Sequence, residues 1–223
     1  IGKFADFVLI NNEEEKKQFP KLDKQKRTIV LLGAVNFKEI EKQYQIISRA
    51  MDENQKLEIT YHGMKSQKET KRQVAPYGLF YSNGIWYMVG HCYKEKDIRI
   101  FALDRINDIK LTGKNYCMPD DFNIESYLQK GWRIINYGRP VNVKLKFSKE
   151  VARWVKRKKW HPTQKIEEQA DGSLILRVTL RGPEEIKRWS YNWAPHCEIL
   201  SPPELRKEAA GEIKKLARVY GRK

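Results

Sequence analysis

The sequence is short of the residues from which most metal and disulfide sites are built. Its three cysteines, Cys92, Cys117 and Cys197, are odd in number and far apart, and they form no C-x-x-C pair. The four histidines are dispersed and show no metal-ligand spacing. We therefore expect free thiols in a reducing cytoplasm, no bound metal and no cofactor.

Long apolar runs and catalytic motifs are lacking too. No stretch approaches the about 20 apolar residues of a membrane-spanning helix, so no membrane partner is expected. Paired carboxylates occur only in charged runs such as Glu13–Glu15, and the glycines stand singly at turns instead of forming a phosphate-binding loop. No serine or cysteine lies in a nucleophile motif. These absences favour a binding protein over an enzyme.

Positive charge, in contrast, is abundant. The net charge is +16, and two segments carry the excess: 56–117 has 11 basic and 6 acidic residues, and 141–223 has 20 and 10. Such an imbalance favours polyanionic partners, nucleic acid above all, although a surface that only confers solubility remains an alternative.

The segment 76–106 predicts a three-stranded antiparallel meander. Asn83-Gly84 separates two apolar runs and is typical of a type I′ hairpin turn, and Lys94–Asp97 separates the second run from a third. The strands are apolar at nearly every position. Both faces must therefore be covered, either in a small barrel or in a sheet with a helix on top.

This meander resembles the WYL domain of bacterial transcriptional regulators. The family pattern is a proline with a following leucine, a turn, Gly-x-Trp-Tyr-Leu, and then Arg-x-Phe-x-Leu-x-Arg-Ile. The matching residues here are Pro76, Leu79, Gly84, Trp86, Tyr87, Arg99, Phe101, Leu103, Arg105 and Ile106. Met88 stands where leucine is usual, an exchange that nearly conserves side-chain volume.

The resemblance implies an α+β fold whose first domain, 37–117, is a small Sm-like or SH3-like β-barrel with a leading helix. That helix is predicted over Phe37–Asn54, capped by Asn36, because its apolar residues recur at helical spacing. Six strands are expected: Leu57–His62, Lys71–Ala75, Tyr77–Ser82, Ile85–Cys92, Ile98–Leu103 and Ile106–Leu111. Residues 1–36 would be a connecting segment, and the winged helix-turn-helix usual in the family would lie upstream of Ile1.

Residues 118–140 are interpreted as a connector with a short helix over Ile124–Lys130, and 141–223 as a second domain. Its predicted order is β-α-β-β-α-β, a ferredoxin-like pattern, followed by a long terminal helix. The predicted elements are Val141–Phe147, Lys149–Lys159, Lys165–Gln169, Ser173–Leu180, Glu184–Asn192, Cys197–Leu200 and Pro203–Tyr220, with a type I′ turn at Asp171-Gly172. This part resembles the C-terminal extension that follows the WYL domain in many of these regulators.

Candidate binding residues lie in the meander, on the strand before it and in one helix of the second domain. Arginine forks grip phosphates and aromatic faces stack on bases, so we expect an anionic ligand on the WYL part. The candidates are Arg72, Tyr77, Trp86, Tyr87, Arg99, Phe101 and Arg105, and an auxiliary basic patch comprises Arg153, Lys156, Arg157, Lys158 and Lys159. Alternatively, Trp86, Tyr87 and Phe101 are core residues and Arg105 ties a loop by hydrogen bonds.

Arg99 is the most informative of these candidates, because a buried guanidinium in an apolar strand is costly unless it is paired. Asp97 is expected to point to the other face, and Asp104 lies past the strand end. Arg99 should then open onto a polar cleft floored by Phe101 and Leu103.

The sequence thus favours the effector-sensing and dimerisation region of a transcriptional regulator. Its ligand would be single-stranded nucleic acid or a nucleotide, and the regulator would act as a homodimer. A dimerisation or interaction module without a ligand, and an accessory regulator of a nuclease or phage-defence system, are the alternatives.

Overall fold

A computed structural model describes residues 37–63 and 67–221. The chain divides into two compact units after Tyr116, and each is described by itself. The segment 1–36, with the predicted cap Asn36, lies outside the described residues.

The first unit consists of one helix and one antiparallel sheet. The predicted helix is α1, Phe37–Asp52; it ends two residues early because Asn54 turns into the left-handed region at φ 51°. The strands are β1 (Gln55–His62), β2 (Glu69–Ser82), β3 (Ile85–Cys92), β4 (Asp97–Ala102) and β5 (Ile106–Asn115), and a 3₁₀ turn, Leu103–Arg105, joins the last two.

The expectation of a small barrel is wrong. The strand order is β4-β3-β2-β1-β5, so β4 and β5 stand at opposite edges of an open five-stranded sheet. Helix α1 covers one face instead: Ile40, Ile47 and Ala50 pack into one core with the inward residues of the strands. Of the two arrangements that apolar strands allow, the chain adopts the sheet with a helix on top.

The sheet has five strands where six were predicted, because β2 runs through Pro76 without a break. The ladder with β3 shifts register between Pro76 and Gly78, which places one extra residue in β2. The hydroxyl of Tyr116 donates a hydrogen bond to the Pro76 carbonyl. Burial raises the pKa of Tyr116 to about 12, so this hydroxyl keeps its proton.

The hairpin turn at Asn83-Gly84 is confirmed. Both residues have positive φ, 49° and 83°, as a type I′ turn requires. At the other end of the meander, β5 continues to Asn115 through Gly113, whose φ is 67°, so Thr112-Gly113 does not end the strand as predicted.

The second unit has the predicted element order β-α-β-β-α-β. Its elements are a short α2 (Ile124–Leu128), β6 (Val141–Phe147), α3 (Lys149–Lys156), β7 (Lys165–Glu168), β8 (Leu174–Leu180), α4 (Glu184–Tyr191), β9 (Cys197–Ser201) and α5 (Pro203–Tyr220). Strand β6 and helix α5 have the predicted bounds. The bounds of the other elements differ from the prediction by three residues or fewer.

The four strands form an antiparallel sheet in the order β7-β8-β6-β9. Alternate residues of β6 and β8, among them Val143, Leu145 and Leu176, are fully buried against the helices. A group of tryptophans fills this core: the Trp189 ring lies 4.9 Å from Trp132 and 4.8 Å from Trp160, centroid to centroid. The opposite face of the sheet carries the polar residues.

The turn at Asp171-Gly172 differs from the prediction. Among the described residues only Gly172 of this pair has positive φ, 80°, and Gln169 accepts a backbone hydrogen bond from Gly172. The connection is therefore a three-residue loop with glycine in the left-handed position and not a type I′ turn.

The segment after α2 belongs to this unit. The Glu185 carboxylate, in the first turn of α4, accepts hydrogen bonds from the backbone N–H groups of Arg133, Ile134 and Ile135, at 2.8–3.1 Å. Leu205 and Ala209 of α5 are buried, whereas Ile213, Leu216, Val219 and Tyr220 are exposed. Within the described part of the chain, no helix is both long and apolar enough to span a membrane.

Candidate functional site

Strand register brings two of the predicted arginines to one face of the first sheet. Arg72 lies opposite Ile59, and Arg99 lies opposite Gly90. Because side chains alternate along a strand, Arg72 shares its face with Val74, and Arg99 shares its face with Phe101. Val74 and Phe101 both belong to the core beneath α1, so the two arginines extend the core face at its polar end.

Arg72 is engaged by three partners. Its Nε donates to Thr70 Oγ1 at 3.0 Å, and its Nη1 contacts Cys92 Sγ at 3.7 Å and Glu95 Oε1 at 3.1 Å. The Arg72 side chain is only 18% exposed, whereas that of Glu95 is 38% exposed. The carboxylate can therefore turn out into water more easily than the guanidinium can.

Arg99 has the acidic partner that we expected it to lack. Its Nη1 lies 3.3 Å from Asp97 Oδ2, with side-chain exposures of 36% and 59%. The prediction that Asp97 points to the other face is wrong, because residues two apart in a strand lie on the same face. Leu103 is buried in the 3₁₀ turn and does not continue the strand, so it forms no floor beside Phe101.

Arg105 is a structural tie as well as a cation. Its Nε and Nη2 both donate to the His62 carbonyl oxygen, at 3.0 and 2.5 Å, and its guanidinium lies 4.8 Å from the Tyr61 ring centroid. The Tyr61 hydroxyl accepts a hydrogen bond from the Ala102 N–H at 3.2 Å. Burial raises the pKa of Tyr61, so this hydroxyl stays protonated and keeps a hydrogen to donate.

We call the set Tyr61, Arg72, Arg99, Phe101 and Arg105 the arginine face. Phe101 joins it through an edge-to-face contact with Tyr61, with ring centroids 5.1 Å apart. Arg105 lies against the Tyr61 ring, and Arg72 and Arg99 each carry a partly exposed carboxylate that an anionic ligand could replace.

The other predicted aromatic residues lie apart from this set. Trp86 is in the core, edge-on to Tyr44 at 5.2 Å, as the alternative interpretation held. Tyr87 is also buried and stacks on Phe80, and Tyr77 packs near Tyr116. None of these three offers an open ring beside the arginines.

The predicted auxiliary basic patch follows the end of α3. Helix α3 stops at Lys156, whose Nζ lies 2.6 Å from Glu168, so this cation is partly neutralised. The Arg153 guanidinium lies 5.0 Å from the ring of Trp154, which is 47% exposed, and Lys158 Nζ lies 4.0 Å from the Trp160 ring. Arg157 and Lys159 are exposed.

Sequence reasoning missed Tyr61, Glu95 and Gly90. A Cβ on Gly90 would lie 2.5 Å from the Ala75 carbonyl oxygen, so the strand opposite Arg99 has room only for glycine. Glu95 sits in a turn, where no periodic pattern predicts its partner. The alternation of Leu57, Ile59 and Tyr61 with polar residues indicates an inward-facing Tyr61, but it does not indicate the contact of Tyr61 with Arg105.

Two solved structures align with most of this chain. A crystal structure described as a CRISPR Cas-related protein matches 82% of the chain and 52% of its own length, with a TM-score of 0.54 and 13% identity. The proteasome accessory factor PafBC of Arthrobacter aurescens matches 85% of the chain and 29% of its own length, at 21% identity and a TM-score of 0.42.

The curated relatives are matched over a shorter stretch. Protein PafB of Mycobacterium tuberculosis and of Mycobacterium bovis is 33% identical over 61 residues, which is 27% of this chain and 18% of PafB. The chain therefore aligns with less than a fifth of these relatives.

Two family models match in succession. The WYL domain model matches residues 42–111, which include the whole arginine face, and the WCX domain model matches 139–217. The chain therefore contains a WYL domain followed by a WCX domain.

Proposed function

We propose that this chain is the effector-sensing region of a transcriptional regulator and that its WYL domain binds an anionic ligand on the arginine face. The proposal is carried by the partners of Arg72 and Arg99, which are carboxylates more exposed than the arginines themselves, and by Arg105, which lies against the Tyr61 ring. We infer single-stranded nucleic acid or a nucleotide as the ligand, because both bring phosphates to guanidinium groups and both suit a chain of net charge +16.

Ligand binding would proceed by exchange of partners. In the structure Arg72 is paired with Glu95, and Arg99 is paired with Asp97. In both pairs the acidic side chain is more exposed than the arginine side chain. A phosphate could take their place without leaving a buried cation unpaired, which would otherwise be the main cost. Arg105 would hold the 3₁₀ turn in place throughout, since its hydrogen bonds go to a backbone carbonyl.

The test is fluorescence anisotropy with a labelled oligothymidylate of about 12 nucleotides, titrated over a series of salt concentrations. Arg99→Ala should keep the fold and weaken binding by about 1–3 kcal/mol, the scale of a lost charge-assisted contact. It should also reduce the slope of log K against log salt by about 0.7, because one phosphate contact is lost.

The matched control is Arg49→Ala. Arg49 lies on the surface of α1, pairs with Glu53, and stands near the start of β1, whereas Tyr61 stands near its end. The Arg49→Ala change removes one positive charge from the same domain as Arg99→Ala does. Equal binding by Arg99→Ala and the parent at every salt concentration, or unfolding of the variant, would contradict the proposal.

We further infer that the WCX domain is ferredoxin-like and provides the dimer contact. The exposed residues Ile213, Leu216, Val219 and Tyr220 on α5 favour this, because such an apolar stripe is typical of an interface. Sedimentation should then show a dimer that Leu216→Glu dissociates. Weak homodimers form at about tens of micromolar. If the unchanged protein stays monomeric at such concentrations, a monomeric ligand-binding module would be favoured.

A further inference from the structure

One face of the second sheet carries the polar and charged side chains of three adjacent strands. In β6 and β8 these residues alternate with buried ones such as Val143, Leu145, Leu176 and Val178, which pack under the helices. We call this surface the basic sheet face; its polar and charged residues are Asn142, Lys144, Lys146, Lys165, Glu167, Arg177 and Thr179, with Ile175 among them.

Like charges lie directly opposite one another on this face. Lys144 on β6 pairs in register with Arg177 on β8, and Arg177 pairs in register with Lys165 on β7. Cross-strand neighbours of like charge destabilise a sheet. The row spans three strands, and adjacent strands are about 4.8 Å apart, so the outer two lysines flank the arginine closely.

An internal carboxylate offsets only part of this charge. Glu167 holds Arg177 in a two-point contact, with Nε–Oε1 2.5 Å and Nη2–Oε2 2.8 Å. The hydrogen bond from Arg177 holds the pKa of Glu167 below its usual range, and the charge of Lys144 adds to the shift. Lys144 and Lys165 therefore add a net positive charge around an arginine that is already neutralised.

The same residues line a concave site. A cavity of about 270 Å³ lies against Asn142, Lys144, Thr163, Lys165, Arg177 and Thr179. Thr179 Oγ1 donates to Asn142 Oδ1 at 2.6 Å, so the part of Asn142 that can serve a ligand is its amide NH₂ group. Thr163 Oγ1 donates to the Thr179 carbonyl and accepts from the Thr179 N–H, both at 2.9 Å, which fixes the rim.

We propose that the basic sheet face is a binding site for the phosphate backbone of a single-stranded nucleic acid. Two lysines flanking an arginine, with an amide donor beside them, form a cradle for phosphate oxygens, and a bound phosphate relieves the repulsion in the row. No aromatic side chain is among the residues of this face, so it offers no stacking platform for a base. It therefore suits a backbone rather than a free nucleotide, and binding should not depend on sequence.

The proposal does not depend on the arginine face, because it concerns other residues in the other unit. The experiment uses the whole chain and the labelled oligothymidylate of about 12 nucleotides, with the double variant Lys144→Ala/Lys165→Ala. Both lysines are partly or fully exposed, so the fold should persist, which circular dichroism and melting curves verify. The control is Lys207→Ala/Lys214→Ala, which removes two exposed lysines of α5.

We expect the Lys144→Ala/Lys165→Ala variant to bind about tenfold more weakly at low salt, the loss of two charge-assisted contacts. Its slope of log K against log salt should fall by about 1.4, the value for two phosphates of a single strand. The control should bind like the parent. The loss should also persist in an Arg99→Ala background, so failure at one site does not mask the other.

Three results would overturn the proposal. One is a double variant that binds like the parent at every salt concentration, and another is an equal loss in the α5 control. The third is displacement of the strand from the Arg99→Ala variant, but not from Arg99→Ala/Lys144→Ala/Lys165→Ala, by AMP or inorganic phosphate at equal phosphate concentration, which would assign the cavity to a small anion.

Discussion

The arginine face and the basic sheet face hold positive charge in opposite ways. On the arginine face every arginine is engaged: Arg72 with Glu95, Arg99 with Asp97, and Arg105 with a backbone carbonyl and an aromatic ring. On the basic sheet face, Lys144 and Lys165 lie in register with a third cation. An anion can reach Arg72 or Arg99 only by displacing a carboxylate, whereas Lys144 and Lys165 face another cation across the strands.

The residue types agree with this difference. A guanidinium presents a planar set of donors that can serve a carboxylate, a carbonyl oxygen and a ring at once, which suits a cation with a structural role. A lysine ammonium is a mobile point charge, which suits an exposed phosphate contact. Arg177 supports the rule from within the basic sheet face, since it is the cation there that holds a carboxylate in two-point geometry.

The largest expected effect comes from Arg105, the most structural cation of the arginine face. Arg105→Ala removes two charge-assisted hydrogen bonds to His62 and the contact with Tyr61. We expect the free energy of unfolding to fall by about 1.5–3 kcal/mol, measured by urea denaturation.

The matched change is Arg49→Ala, whose cation forms a surface pair with Glu53 and should cost under about 0.5 kcal/mol. Equal losses for the two variants would remove the distinction between a structural and an exposed arginine. If Arg105→Ala lowered the free energy of unfolding only slightly but greatly weakened ligand binding, Arg105 would serve the ligand more than the fold.

A middle-sized effect concerns Lys187, a buried cation in the second unit. Its side chain is 9% exposed, and its Nζ binds Glu208 at 3.1 Å and Glu212 at 2.7 Å. Burial lowers the pKa of Lys187, but the two carboxylates outweigh burial and the net shift is upward. The hydrogen bonds from Lys187 and Tyr191 lower the pKa of Glu212.

The sign of the pH dependence follows from the lowered pKa of Glu212. Its contribution to stability is fully present above the unfolded-state pKa of about 4.3, and it is lost as the pH falls through the lower folded-state pKa. Glu212→Gln should therefore lower the melting temperature near neutral pH, and the difference from the parent should shrink towards about pH 3.

The size of this effect is modest because Glu212 is half exposed: we expect under about 1 kcal/mol. Asp120→Asn, which changes an exposed carboxylate outside the helices, is the control and should melt like the parent at either pH. A difference that stays constant from neutral to acid pH would mean that the carboxylate charge of Glu212 contributes nothing.

Local patterns predicted local structure well. The Asn83-Gly84 turn and strand β6 follow from residue types within a few positions, and the structure agrees with both. The path of the first sheet did not follow from such patterns. Whether a strand pairs across a barrel seam or stops at an edge depends on partners far along the chain, and the continuity of β2 through Pro76 depends on a register shift.

Four of the five residues of the arginine face were candidates from the sequence, but Tyr61 and the partners of the arginines were not. The family pattern marked Arg99, Phe101 and Arg105, yet Glu95 reaches Arg72 from a turn that no periodicity constrains. Asp97 is a different case, since the period of two already places it beside Arg99. The row Lys144, Arg177, Lys165 needed the register of three strands, which the sequence alone does not supply.

The smallest expected effect tests the repulsion in that row directly. Lys144→Glu converts a like-charge pair with Arg177 into an opposite pair, so it should raise the free energy of unfolding by about 0.2–0.5 kcal/mol at low salt. Lys146→Glu makes the same change of charge two residues further along β6. The partner of Lys146 on β9 is Glu198, so this variant gains a like-charge pair and should be destabilised. Both effects should fade in about 1 M salt, which screens exposed charges within a few ångströms. Urea denaturation at both salt concentrations measures them. If Lys144→Glu and Lys146→Glu changed the free energy of unfolding in the same direction, repulsion between Lys144 and Arg177 would not be measurable. Only ligand binding would then distinguish the basic sheet face from the arginine face.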